Sequence, residues 1–189
     1  MQRINFVKRI RIWLGLFIAG LVLSGVSAFP LHTELGVAVR VLQNSAIRPA
    51  AGASGLLPWI ERVNAAVAST DRSYPFLAYG TDWLAFAHLV IAIAFIGPFF
   101  DPVRNKWVIT FGLIACAGVI PLAMIAGAVR GIPIGWRLID CSFGIFGAIP
   151  LLICRRAIAA VERRWAEGNE SQIFLSPANS QASPFIDFE

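Results

Sequence analysis

The chain has 189 residues, enough for one domain, with 57% of them hydrophobic and only 14% charged, and a mean hydropathy of +0.69. A soluble domain needs about 25% charged residues to solvate its surface, so the composition excludes an ordinary soluble fold and points to a polytopic membrane protein. The net charge of +5 is clustered beside apolar runs instead of forming a stripe interleaved with aromatics, which argues for topology signals and against nucleic acid as a partner.

Residues 1–11 carry Arg3, Lys8, Arg9 and Arg11 and read as a basic cytoplasmic N-terminus. Residues 12–30 are an apolar run close to the ~20 residues that span a bilayer. The stretch also has the outline of a secretory signal, with Val26-Ser27-Ala28 in the place of a cleavage site. An uncleaved first span is expected, because the run is long for a signal and other spans follow.

Residues 31–80 form the longest segment between apolar runs. Thr33 is placed to cap a helix on which Leu35, Ala38, Val41 and Leu42 recur at helical spacing. The stretch from Arg48-Pro49 to Gly55 breaks it. Pro58 then suits a first turn, and Trp59, Ile60, Val63 and Val67 make an apolar stripe opposite Glu61, Arg62 and Asn64. Two short amphipathic helices at the outer surface are expected, with Tyr74, Tyr79 and Trp83 at the level of re-entry.

Residues 81–100 are the second span, stopped at Gly97-Pro98, and residues 101–106 are a tight polar turn. Residues 107–128 are the third span, in which Pro121 predicts a kink. The outer turn at residues 129–133 is so short that the third span and the fourth, residues 134–154, must form an antiparallel hairpin. Residues 155–165 read as a basic helical extension at the inner surface, and residues 166–189 as a disordered tail. Ten of the sixteen basic residues lie in the N-terminus, the 101–106 turn and the stretch after Cys154. The positive-inside rule therefore puts both termini in the cytoplasm of a cell with the chain in its inner membrane. The expected fold class is all-α: four transmembrane helices with an outer segment of two short amphipathic helices.

This threading assigns depths. His88 and Asp140 each lie seven residues inside their spans, roughly 10 Å below the same outer surface. Arg137 is one turn shallower, with Asp82 and Arg130 at the rim. On the fourth span Arg137, Asp140, Gly144 and Gly147 share a stripe, and small residues of this kind let helices approach closely. Thr81, Ala85, His88, Ala92 and Phe95 make a comparable stripe on the second span, and Gly112, Ala115, Cys116 and Val119 on the third. If the second and fourth spans are neighbours, His88, Arg137 and Asp140 form one intramembrane polar layer. Its plain reading is structural: Arg137 and Asp140 neutralise each other and His88 bridges helices. Its functional reading is a proton relay or a cation site.

His32 and His88 are the two histidines of the chain, and haem would need them to face one another. Cys116, Cys141 and Cys154 are an odd count without a Cys-x-x-Cys spacing, which indicates neither a disulfide framework nor a zinc site. The expectation is no catalytic residue, no metal and no cofactor. Asp101–Trp107 and Trp136–Gly144 are compact, motif-like stretches that attach to no activity. The leading functional expectation is a non-enzymatic subunit or scaffold of a membrane assembly. Its partners are the bilayer, proteins met through residues 31–80 and the C-terminal tail, and a second copy of the chain. The alternative is a small transporter or proton-coupled channel using the polar layer, and a more distant one is a haem-binding redox carrier.

Overall fold

The computed structural model describes the backbone of residues 2–175 and the side chains of residues 7–163. Among the described residues the chain is all-helical, without a strand. Four of its helical stretches, Val7–Ala28, Pro75–Phe100, Lys106–Val129 and Ile134–Arg163, are long and apolar enough to cross a membrane. They exceed the apolar runs at several ends, because backbone hydrogen bonding continues where apolar side chains give way to polar ones.

Helix α1 (Gln2–Ala28) leads through a short turn into α2 (Leu31–Leu42). Helix α2 begins at Leu31 with Pro30 as its cap, so Thr33 lies inside the first turn and does not cap it. The proline ends α1 and α2 starts directly after it, two residues ahead of the expected cap, and no side chain caps the helix there. Beyond it come α3 (Arg48–Ala53), a single turn, and α4 (Leu56–Ser73). The stretch expected to break the helix thus holds one turn of its own, and the break falls at Gly55, whose φ of +75° favours glycine. Helices α2 and α4 pack together, joined by a hydrogen bond of 2.8 Å from Gln43 Nε2 to Glu61 Oε1.

A 3₁₀ turn (Pro75–Ala78) precedes α5 (Tyr79–Ala94), and α6 (Ile96–Phe100) completes that span. The break at Phe95 lies upstream of Pro98, since proline lacks the N–H that would bond the Ala94 carbonyl and its ring clashes there. The 101–106 turn is closed by its own side chains: Asp101 Oδ1 accepts from the Arg104 N–H at 3.1 Å, and Asn105 Nδ2 donates to the Asp101 carbonyl at 2.9 Å. The motif-like stretch after Phe100 is therefore a self-capped turn.

Helix α7 (Lys106–Val129) runs unbroken through Pro121, and α8 (Ile134–Leu175) through Pro150. Between them the Gly131 N–H donates to the Ala128 carbonyl at 3.1 Å and the Ile132 N–H to the Gly127 carbonyl at 2.9 Å. This is a Schellman closure, and it sets Gly131 at a φ of +68°. Helix α8 continues past the basic extension as far as Leu175; the rest of the segment expected to be disordered, residues 176–189, lies outside the described residues.

Helix α1 packs on both α5 and α8, and α8 packs on α7. The close approaches are made at glycines. A methyl on Gly25 would meet the Ala85 carbonyl oxygen of α5 at 2.9 Å, and one on Gly144 the Cys116 carbonyl oxygen of α7 at 2.5 Å. The α1–α5 and α7–α8 pairs join at the half that holds the basic turn. There Ile10, Leu14, Phe95, Ile109, Leu151, Cys154 and Ile158 form one buried cluster. Arg11 donates to the Phe99 carbonyl at 3.2 Å, Lys106 pairs with Glu162 at 2.7 Å, and Arg155 bonds the Thr110 hydroxyl. At the opposite half the two pairs diverge.

Candidate functional site

The divergence opens a cleft of about 890 Å³. One wall is α1, where Trp13, Phe17, Gly20 and Ser24 line it at helical spacing. The facing wall is α8, where Asp140, Phe143, Gly147 and Pro150 recur in the same way. Leu84 and His88 reach in from α5 and Val119 from α7. From Asp140 to Pro150 the α8 wall rises about 15 Å at 1.5 Å per residue, half of a ~30 Å hydrocarbon core.

Two of the three residues of the expected polar layer, His88 and Asp140, thus line one cavity. His88 Nδ1 lies 2.8 Å from the Leu84 carbonyl, one turn back on its own helix. A carbonyl only accepts, so Nδ1 carries the proton and the neutral ring keeps an acceptor lone pair on Nε2. The backbone bond to α5 itself holds the imidazole, so His88 does not bridge helices through that atom. Asp140 is half-buried, and among the described residues no ion pair joins it to Arg137.

Arg137 departs from the layer. Its stem lies on Gly127 of α7, where an added methyl would meet Arg137 Cδ at 2.5 Å. Its guanidinium donates to the Met124 carbonyl at 3.4 Å, and Nε is buried without a partner among the described residues. The end of α7 is the negative pole of that helix, which attracts a cation. Arg137 and Asp140 sit three residues apart, yet the first turns to α7 and the second lines the cleft. The second and fourth spans meet through α1, which lies between them; the three groups are not one hydrogen-bonded layer.

The rim separates in the same way. Asp82 lines a smaller cavity of about 290 Å³ with His32, Asp71 and Thr81, where α4 and α2 cover the end of α1. Arg130 is exposed as the C-cap of α7. His32 and His88 line different cavities, which gives bis-histidine haem ligation no geometric support. Among the described residues no cluster of three or more His, Cys, Asp or Glu side chains could hold a metal ion. Cys141 and Cys154 are buried and Cys116 is half-buried, all three as free thiols, and they pack as small apolar side chains do.

Sequence reasoning missed the α1 wall. Its only signal was the recurrence of Trp13, Phe17 and Ser24 on one face of a helix that is apolar all round, which marks no side as special. Against known proteins, the chain matches no family model, no curated protein and no solved structure.

Proposed function

We propose that the chain is a non-enzymatic subunit or scaffold of an assembly in a cell's inner membrane, with four spans, both termini in the cytoplasm and the α2–α4 segment outside. The sealed half of the helix packing carries this reading. Leu14, Phe95, Ile109 and Leu151 are fully buried, and among the described residues no polar side chain is buried with them. Water and ions entering the cleft meet a closed apolar end, which suits a protein that holds or presents something better than one that conducts. The excess of basic residues at that same end supports its placement in the cytoplasm.

The outer segment supplies the docking surface in this reading. Helices α2 and α4 brace one another, while Val37 and Val41 of α2 stay 45% and 52% exposed. Native mass spectrometry of the full chain, gently extracted from its own membranes, tests the reading. A stoichiometric companion, either another protein or a second copy, is expected, and it is lost in the Val37→Asp/Val41→Asp double variant. A chain that flies alone in every mild detergent overturns the proposal.

A second reading, a small transporter, draws on one observation: His88 and Asp140 share a cleft. In that case the sealed half would have to open during the cycle. Flux through reconstituted protein that is abolished by Asp140→Asn would favour it over the scaffold.

A further inference from the structure

The cleft is within the ~300–1,000 Å³ range of small-molecule sites, and its chemistry is one-sided. Among its lining residues Asp140 supplies the one carboxyl group, and no lysine or arginine is present. The nearest cation along the chain, Arg137, is engaged with α7 at the Met124 carbonyl. His88, with Nδ1–H committed to the Leu84 carbonyl, turns only an acceptor lone pair to the cleft in its neutral form. Ser24 adds a hydroxyl that can accept as well as donate. The polar end of the cavity is thus an acceptor site with a carboxylate at its centre, set where an uncompensated carboxylate is costly.

Below that end the walls are aromatic. Trp13, Phe17, Phe143 and Phe146 line the cleft, and aromatic faces attract cations as well as apolar bodies. The rim opens sideways, with Leu16 58%, Phe143 69% and Phe146 68% exposed on helices apolar enough to lie in a bilayer. A ligand would therefore enter from the hydrocarbon, which requires an apolar body. We propose that the cleft binds a lipophilic organic cation, its charge against Asp140 and its body against Trp13, Phe17, Phe143 and Phe146. An anion would face the carboxylate unaided, and a neutral lipid would leave it uncompensated. The site serves a subunit and a transporter alike, so its failure and theirs are separate.

The test uses two probes of the same shape and opposite charge, tetraphenylphosphonium and tetraphenylborate, with the full chain in nanodiscs of zwitterionic lipid. Saturable binding of the phosphonium is expected, with affinity falling roughly tenfold or more in Asp140→Asn, as for loss of a charged partner. The second variant is Gly20→Leu. Gly20 lines the cleft, and a methyl there would meet nothing within 4 Å. The leucine therefore intrudes into the cavity from an unobstructed Cβ and abolishes binding without lowering thermal stability. Tetraphenylborate bound as tightly as the phosphonium overturns the proposal, as does phosphonium binding indifferent to both variants. So does the absence of saturable binding in the wild type. A neutral quinone that binds and is displaced by Gly20→Leu but not weakened by Asp140→Asn would reassign the cleft to uncharged amphiphiles.

Discussion

At Gly144 a missing methyl lets α8 meet the α7 backbone itself, and restoring it should force the pair apart. In Gly144→Ala the new Cβ would stand 2.5 Å from the Cys116 carbonyl oxygen and 3.3 Å from Val119 Cβ. Ordinary contact begins at 3.4 Å, so the backbones must separate by about 0.9 Å, and overpacking of this kind costs ~1–3 kcal/mol. The obstacle is backbone, which no rotamer change relieves. Alanine offsets part of this through helix propensity, by up to ~1 kcal/mol. Gly118→Ala supplies the control, since a methyl on Gly118 of the partner helix meets nothing within 4 Å and takes the propensity gain alone. Equilibrium unfolding by titration with sodium dodecyl sulfate in mixed micelles should place Gly144→Ala about 1–3 kcal/mol below Gly118→Ala. If the two variants unfold at the same midpoint, the close α7–α8 approach is not what holds that pair together.

Three further outcomes are expected. Gly131→Val forces a β-branched residue into a φ of +68° and should cost about 1–2 kcal/mol in the same titration, whereas Gly131→Asn should cost less. Arg137→Gln and Asp140→Asn should be additive in a double-mutant cycle to within about 0.5 kcal/mol; a larger coupling would mean that the two charges pair after all. A single cysteine at Ser69 should react with an impermeant maleimide on intact cells, and one at Arg104 only after permeabilisation. The reverse pattern would invert the proposed topology.

The spans were legible because the signal for them is one-dimensional. A run of apolar residues of the right length needs no knowledge of its neighbours, and the helices at Lys106–Val129 and Ile134–Arg163 follow from it directly. The role of Gly144 as a packing residue was legible for a similar reason, since a glycine on the polar stripe of a span has few other uses. Helix adjacency was not. Periodicity says that His88, Arg137 and Asp140 each face inward on their own helices. It does not say that α1 lies between the second and fourth spans, and that arrangement sends Arg137 and Asp140 to different partners. Nor does spacing capture reach: the long arginine stem lies on Gly127 and seeks the carbonyls of α7, while the short carboxylate stays where its Cβ points. The second span, expected to stop at Gly97-Pro98, instead breaks at Phe95 and resumes as Ile96–Phe100, because proline acts on the turn before it, at Ala94 and Phe95.

The distribution of small and large side chains also accounts for where the cleft lies. The closest glycine contacts in the open half, Gly25 on Ala85, Gly127 on Arg137 and Gly144 on Cys116, each join a helix to a neighbour within its own pair. Between the pairs the glycine contacts there are looser: a methyl on Gly147 of α8 would meet Phe17 of α1 at an ordinary 3.6 Å, and one on Gly20 of α1 or Gly118 of α7 would meet nothing within 4 Å. In the sealed half the link between pairs is bulky instead. Phe95 of the first pair and Leu151 of the second converge on Gly112, where an added methyl would meet them at 2.6 Å and 2.7 Å. Two pairs held tightly inside themselves and clamped together at one end must gape at the other. The gap can close only if something fills it, and the residues that would meet that filler are Asp140, His88 and the aromatic rings beneath them. The polar groups of the fourth and second spans are therefore placed by the same packing asymmetry that exposes them, and a ligand seated there would bridge the two pairs. Binding should accordingly raise the stability of the whole chain in proportion to occupancy, an effect that Gly20→Leu would reproduce in part by filling the gap without a ligand.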